Sequence, residues 1–224
     1  MVHFINLFFR IVALRQQNSV FGAGFTTAPD FTVMSKRQHP PTASSPIFFA
    51  EVEDGNRTLP ALIRHCGALL VNFPHLNAVL GIKGENTNNT VEPLSLNCTL
   101  FLIQRDHEGG EPRQCRVTRL IDFGPDQLST VKRDHAQREL ESPLPPLGVK
   151  PVAGEHGAGV AAPAGGWIWE RFVNGRENGE DQMCDIPVEL LLQGAHSRDN
   201  EPIADIPDVS AQINLGELAD AYWY

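Results

Sequence analysis

The chain has 224 residues, of which 42% are hydrophobic and 20% are charged. This composition is typical of a globular protein and excludes a disordered one, and the length suffices for one sizeable core. The formal net charge of −9 argues against a protein that coats nucleic acid non-specifically, because phosphate binding requires clustered Lys and Arg. An enzyme that holds nucleic acid through a local basic patch or a bound metal stays compatible with this charge.

The first 14 residues, MVHFINLFFRIVAL, are apolar, but a membrane span needs about 20 apolar residues. They also lack the small-residue cleavage site of a signal peptide. We therefore expect a soluble, cytoplasmic or nuclear protein that does not associate with membranes. Secretion is the alternative, because the chain has three N-x-S/T sequons and four cysteines that could form two disulfides. Without a C-x-x-C pair, the scattered cysteines favour free buried thiols over a zinc site.

The elements predicted before residue 47 are short. An apolar segment over residues 1–21 predicts a strand or a short helix, and residues 28–34 predict a short strand. Residues 35–46 form a polar, Pro-rich loop. Residues 47–52 (IFFAEV) then predict a buried strand.

An amphipathic helix is predicted over residues 58–73. Its apolar residues recur at helical spacing, Thr58 is suited to cap its N-terminus, and Pro60 fits the first turn. A strand over 78–82 follows, and because two buried strands flank a helix, we expect them to be parallel in a βαβ unit. Further along, the patterns predict a loop over 84–93, a strand over 98–104, a turn over 108–111 and a strand over 114–121.

The texture of the chain changes after residue 140. Residues 141–166 are rich in Pro, Gly and Ala, which predicts a loop or linker. We expect residues 1–140 to form the core domain and residues 167–224 to pack on it as an irregular extension. The fold class is thus α/β, with a mixed central sheet and a strand–strand–helix–strand core.

Acidic residues stand at the ends of two predicted strands. Asp30 follows Pro29, and Glu51 and Glu53 end the next strand, two residues apart and therefore on one face. Converging carboxylates supply the oxygen ligands that Mg²⁺ requires. Such a metal activates water and stabilises charge on phosphate.

This order resembles the core of the PD-(D/E)xK nuclease superfamily, the restriction-endonuclease-like fold, as in uncharacterised fungal proteins with that core. Pro29-Asp30 is similar to the first motif, Glu51-Val52-Glu53 to the second, and residues 58–73 and 78–82 to the helix and strand that follow. The resemblance covers residues 28–105 and implies that Asp30 and Glu51 are ligands of Mg²⁺. It also implies a metal-dependent nuclease-like protein that acts on phosphodiesters.

The chain departs from the family in two ways. Glu53 stands where the family has its lysine, which reverses the electrostatics there, and residues 1–29 contain no carboxylate. Lys83, at the end of the next strand, or Arg57 and Arg64 near the helix could replace the lysine. The candidate catalytic residues are Asp30, Glu51, Glu53 and Lys83. Two functions stay open: a nuclease-like protein with an eroded site and a nucleic-acid partner, or a non-catalytic module that retains the fold to bind a protein.

Each candidate also has a plain structural interpretation. Asp30 is typical of a strand entry, and Glu53 of a solvated turn. His65 is predicted at the surface beside a buried cysteine. The charges around Lys132 and Arg133 are typical of an exposed helix face, and Trp167 and Trp169 predict core packing from one side of a strand.

Overall fold

The protein is described by a computed structural model. The structure describes the following residues: 19–21, 25–27, 30–35, 45–53, 57–73, 76–87, 95–105, 115–141, 160–161, 168–192, 208 and 210–223. The predictions for residues 1–18, for the turn at 108–111 and for Trp167 lie outside them.

Thirteen strands and four helices occur in the described ranges. The strands are β1 (Ser19–Phe21), β2 (Phe25–Thr27), β3 (Phe31–Ser35), β4 (Ser45–Glu53), β5 (Ala78–Thr87), β6 (Ser95–Arg105), β7 (Cys115–Asp122), β8 (Val160–Ala161), β9 (Glu170–Arg171), β10 (Arg176–Glu177), β11 (Glu180–Asp181), β12 (Met183–Pro187) and β13 (Ser210–Asn214). The helices are α1 (Leu59–Asn72), α2 (Thr130–Glu141), α3 (Val188–Leu192) and α4 (Leu215–Trp223).

Five strands form the body of one mixed sheet, in the order β3-β4-β5-β6-β7. Only the β4–β5 pair is parallel among these five strands; β3–β4, β5–β6 and β6–β7 are antiparallel. The two-residue strands β8 and β9 pair with β7 at separate positions. The chain is therefore an α/β protein with a mixed central sheet, as its sequence predicts.

The predicted βαβ unit is confirmed. β4 and β5 run parallel, and α1 connects them. Thr58 caps the helix, since its hydroxyl accepts a hydrogen bond from the Ala61 amide at 3.4 Å, and Pro60 stands in the first turn, where its missing N–H costs nothing. The apolar stripe of α1 packs on one face of the sheet, together with Phe49, Val79 and Phe101.

The opposite face of the sheet is covered by the C-terminal segment. Alternate residues of β4, β5 and β6 point to this side, and they pack against Cys184, Ile186, Ile213 and Leu218 of the paired strands β12 and β13 and of α4. The segment from residue 168 onward thus supplies six of the buried apolar residues in the cluster on this face. Apolar residues appear on both faces of β4 because both faces are covered.

Two of the predicted boundaries are wrong. The loop predicted over 84–93 begins later, because β5 continues to Thr87 and pairs with β6 over its whole length. Within the predicted linker, Val160–Ala161 pairs with β7. In the described part of the chain, none of the helices combines the length and the apolar character needed to cross a membrane.

Candidate functional site

The end of β4 carries the two predicted glutamates on the face that α1 covers. Phe49 belongs to the apolar cluster on that face, and side chains two residues apart on a strand point the same way. Glu51 and Glu53 therefore follow Phe49 beneath α1. Glu51 is buried, and Glu53 exposes 17% of its side chain within β4. The interpretation of Glu53 as part of a solvated turn is wrong.

Asp30 reaches the same place from the neighbouring segment. Its Oδ2 accepts a hydrogen bond from the backbone N–H of Val52 at 2.7 Å, which ties it between the two glutamates. Burial raises the pKa of the Asp30 carboxyl, the negative charges of Glu51 and Glu53 raise it further, and the Val52 hydrogen bond opposes the rise. Like charges converge at this point, as a cation site requires.

Lys83 lies beside these acids because β4 and β5 are parallel. The register pairs Glu53 with Lys83 and Glu51 with Gly81, and the Lys83 residue is only 3% exposed. The structure thus brings all four predicted residues, Asp30, Glu51, Glu53 and Lys83, to the carboxyl end of the parallel pair. In open α/β sheets this is the end at which ligands bind.

Glu51 has one oxygen near a histidine and one without a hydrogen-bond partner among the described residues. Its Oε2 lies 3.8 Å from Nε2 of His65 on α1, and its Oε1 is buried without a hydrogen-bond partner among the described residues. His65 exposes only 18% of its side chain, so its predicted surface position is wrong. A buried carboxylate oxygen without a donor is costly, and a bound cation would offset that cost.

Gly81 leaves room for the ring of Phe101 next to Glu51. A Cβ at Gly81 would lie 2.0 Å from Cζ of Phe101, so the ring of Phe101 occupies the space that a side chain would need. The ring is fully buried and belongs to the apolar cluster on the face that α1 covers.

A polar row crosses the sheet at this level. The registers align Glu53 with Lys83, Lys83 with Thr99, and Thr99 with Asp122 on four successive strands. We call Glu53, Lys83, Thr99 and Asp122 the polar row. The last three members are almost completely buried, so most of the row lies in the interior.

Asp122 ends the polar row, and one backbone amide and two arginines lie around its carboxylate. Its Oδ2 accepts a hydrogen bond from the Leu128 amide at 2.8 Å and lies 3.3 Å from Arg133, and its Oδ1 lies 3.5 Å from Arg171. Burial is the largest influence on this carboxyl and raises its pKa, although the amide and both arginines act in the opposite direction. Arg171 also donates to the carbonyls of Gly124 and Pro125, at 2.6 Å and 2.9 Å.

The first turn of α2 contributes two cations that the sequence did not single out. Lys132 pairs with Glu85, and Arg133 pairs with Asp122 and stacks on the ring of Trp169, 5.5 Å from its centroid. The interpretation of these charges as an exposed helix face is wrong for Lys132 and Arg133, which are only partly exposed, and right for Asp134 and Arg138, which are exposed. One signal could have located Asp122, because it directly follows a buried strand, as Glu51 does.

The residues present suit a hard divalent cation with few protein ligands. In the described ranges, no group of three or more His, Cys, Asp and Glu side chains is arranged to hold a metal. The predicted set has two ligands, Asp30 and Glu51, and Mg²⁺ is commonly held by one or two carboxylates together with substrate phosphates and water. The unpartnered Oε1 of Glu51 fits such an ion.

The alternative of a secreted protein predicts two disulfides and accessible sequons. Cys66, Cys98 and Cys184 are buried free thiols, which rules out two disulfides. Asn97 is buried, so its sequon is inaccessible in the folded chain; Asn56 and Asn88 lie outside the described residues.

Comparison of the chain with protein-family models, with curated proteins and with solved structures finds no match in any of the three.

Proposed function

We propose that the chain is a metal-dependent nuclease-like protein of the restriction-endonuclease-like fold that hydrolyses phosphodiesters. One observation carries the proposal: Glu51 is buried with an unpartnered oxygen, at the point where Asp30 and Lys83 also arrive. A buried carboxylate oxygen without a donor is costly, and such groups often serve binding or catalysis.

The strand order supports the fold assignment. An antiparallel pair, β3–β4, is followed by a helical crossover to the parallel strand β5, which is the order that the resemblance implies. Asp30 precedes β3, and Glu51 and Glu53 end β4, so the acidic residues stand at the positions expected from the motif.

Asp30 and Glu51 are the residues that would hold Mg²⁺. When bound, this ion activates water and neutralises charge that develops on a phosphate. The Val52 amide fixes the orientation of Asp30, and His65 lies beside the second oxygen of Glu51. The two carboxylates are thus oriented by the protein before any ligand enters.

Lys83 takes the role of the lysine that the family has two residues after its acidic residue, where this chain has Glu53. It reaches the same face from the adjacent strand, where Glu53 is its neighbour in register. Its ammonium group stabilises negative charge on the phosphate, and the buried setting strengthens this interaction. Glu53 lies 3.8 Å from Arg57, which partly offsets its negative charge.

Metal binding and cleavage test the proposal together. Titration calorimetry with Mg²⁺ and Mn²⁺ on wild type, Asp30→Asn and Glu51→Gln should show binding to wild type alone. Glu177→Gln is the matched control, because it removes the same charge from an exposed position. Cleavage of single- and double-stranded DNA and RNA should be lost in both site variants and in Lys83→Met, with partial retention in Lys83→Arg.

The outcome separates the two functions that the sequence left open. Binding without cleavage would leave a metal site whose catalysis has been eroded. Equal calorimetric traces for wild type and Glu51→Gln would overturn the nuclease-like function. The protein would then be treated as a non-catalytic module that binds a protein partner through the same fold.

A further inference from the structure

The helix α2 pairs with one end of the polar row and has no apolar stripe of its own. Of its side chains at positions 130–138, which the structure describes, only Ala136 is buried. A helix that is polar on nearly all sides gains little from hydrophobic burial and depends on its polar contacts. The attachment of α2 to the sheet must therefore come largely from its ion pairs.

These ion pairs involve the two cations of α2 that reach the sheet, Lys132 and Arg133. Lys132 pairs with Glu85 on β5, two residues after Lys83, and Arg133 pairs with Asp122 at the end of the polar row. Arg133 has a second anchor in Trp169, yet its Nε is buried without an acceptor among the described residues. These two cations of α2 are thus held by carboxylates, and one of their donors has no acceptor in the described ranges.

Carboxylate and phosphate are interchangeable partners for Lys and Arg. Arg in particular binds both groups through the same planar pair of donors, and a phosphate offers more acceptor oxygens than a carboxylate. We propose that Lys132 and Arg133 are the phosphate-binding residues of this site, which Glu85 and Asp122 occupy internally until a nucleic-acid strand displaces them. This inference rests on the proposed function, because it takes its ligand from the phosphodiester substrate.

The exchange also opens the site. While Lys132 and Arg133 hold Glu85 on β5 and Asp122 on β7, α2 is tied to the two strands on either side of β6, which carries the buried Thr99. When strand phosphates take over the two cations, the helix is released from the sheet and the polar row becomes accessible. The net charge of −9 makes this contact weak except at low salt, where phosphate binding is strongest.

Two substitutions that break the same ion pair separate this exchange from a structural role. Glu85→Gln frees Lys132 and should tighten binding of a single-stranded oligothymidylate by about threefold to fivefold, the strength of an ion pair with half-buried partners. Lys132→Gln should weaken it, and should lower the slope of log K against log salt by about 0.7, the value for one phosphate on a single strand. The titrations are done by fluorescence anisotropy with a chelator present, so that neither metal nor cleavage contributes.

Two controls measure the effect of net charge alone. Glu177→Gln and Arg138→Gln change the charge by the same amounts at exposed positions, the second within α2 itself. Each control should change the affinity for the oligonucleotide by less than half as much as the variant that it matches, Glu85→Gln or Lys132→Gln. Each should leave the slope of log K against log salt unaltered. Hydrogen exchange supplies a second measurement, since Glu85→Gln should speed exchange in α2 and leave α1 unchanged.

The affinities of the two pair-breaking variants can also overturn the inference. If both pair-breaking variants shift affinity in the same direction, or neither exceeds its control, then the ion pairs only stabilise the fold. Because the titrations contain no metal, they are independent of the calorimetry on Glu51. Failure of the metal site with opposite effects at Glu85 and Lys132 would leave a strand-binding protein without catalysis.

Discussion

Replacing Glu51 by glutamine removes one buried negative charge and keeps the size of the side chain. The residue is 6% exposed, its Oε1 has no partner in the described part of the chain, and its Oε2 is 3.8 Å from His65, beyond hydrogen-bond length. An uncompensated buried polar group costs about 1–3 kcal/mol in proteins. The amide still has polar atoms to satisfy, so we expect Glu51→Gln to raise the free energy of unfolding by about 1–2 kcal/mol without metal.

This gain should appear as a higher melting temperature in metal-free buffer. For a chain of this size, 1 kcal/mol corresponds to about 2–4 °C, so the expected shift is about 2–8 °C. In the presence of Mg²⁺ at about one hundred times its dissociation constant, wild type alone should gain about 2.7 kcal/mol. The order of the two melting temperatures should therefore reverse when the metal is added.

Thermal denaturation followed by circular dichroism, with and without Mg²⁺, measures both effects. Glu177→Gln, at an exposed position, should stay within about 0.5 kcal/mol of wild type in either buffer. A loss of more than about 1 kcal/mol in metal-free Glu51→Gln would show that the carboxylate has a stabilising partner. If the order does not reverse with metal, Glu51 is not a ligand.

Three further substitutions test the surroundings of the site. Gly81→Ala should destabilise the fold by about 1–3 kcal/mol in urea denaturation, because the new methyl group would meet the ring of Phe101; an unchanged midpoint would contradict the packing at this position. Asp30→Asn should stabilise the metal-free protein at neutral pH, since burial raises the pKa of this carboxyl in the folded state and the amide oxygen can still accept the Val52 hydrogen bond. A raised folded pKa means that the ionised form is penalised, so the advantage should shrink as the pH falls toward about 4 and should be absent below it; a pH-independent difference would refute this cause. Thr58→Ala should cost about 0.5–1 kcal/mol through the lost helix cap, equally with and without Mg²⁺, and an effect on metal affinity would be unexpected.

The β4–α1–β5 unit could be predicted because its signals are local. A buried run, a capping residue with proline in the first turn, and apolar residues at helical spacing are all carried by consecutive residues. The full length of β5 could not be predicted in this way. Residues 83–87 (KGENT) have low strand propensity, and they are held extended by pairing with β6.

The acidic half of the site was predictable for a similar reason. A carboxylate directly after a buried run must be paired, must reach an edge or must bind something, and this applies to Glu51 from the sequence alone. The two cations of α2 were not predictable. Lys132 and Arg133 stand in a helix with the composition of a solvated surface, and their partners are about ten to fifty residues away along the chain.

The sequence by itself determined the α/β class, the parallel pair around α1, and the acidic residues Asp30, Glu51 and Glu53 as candidates. Only the tertiary structure decided that Lys83 stands beside Glu53, that His65 faces Glu51, and that Asp122 ends the polar row where it pairs with α2. The physical reason is that periodicity and capping act over a few residues, and they specify which face of an element is apolar. Register and ion pairing depend on which faces meet after folding, and they join residues that are distant in the chain.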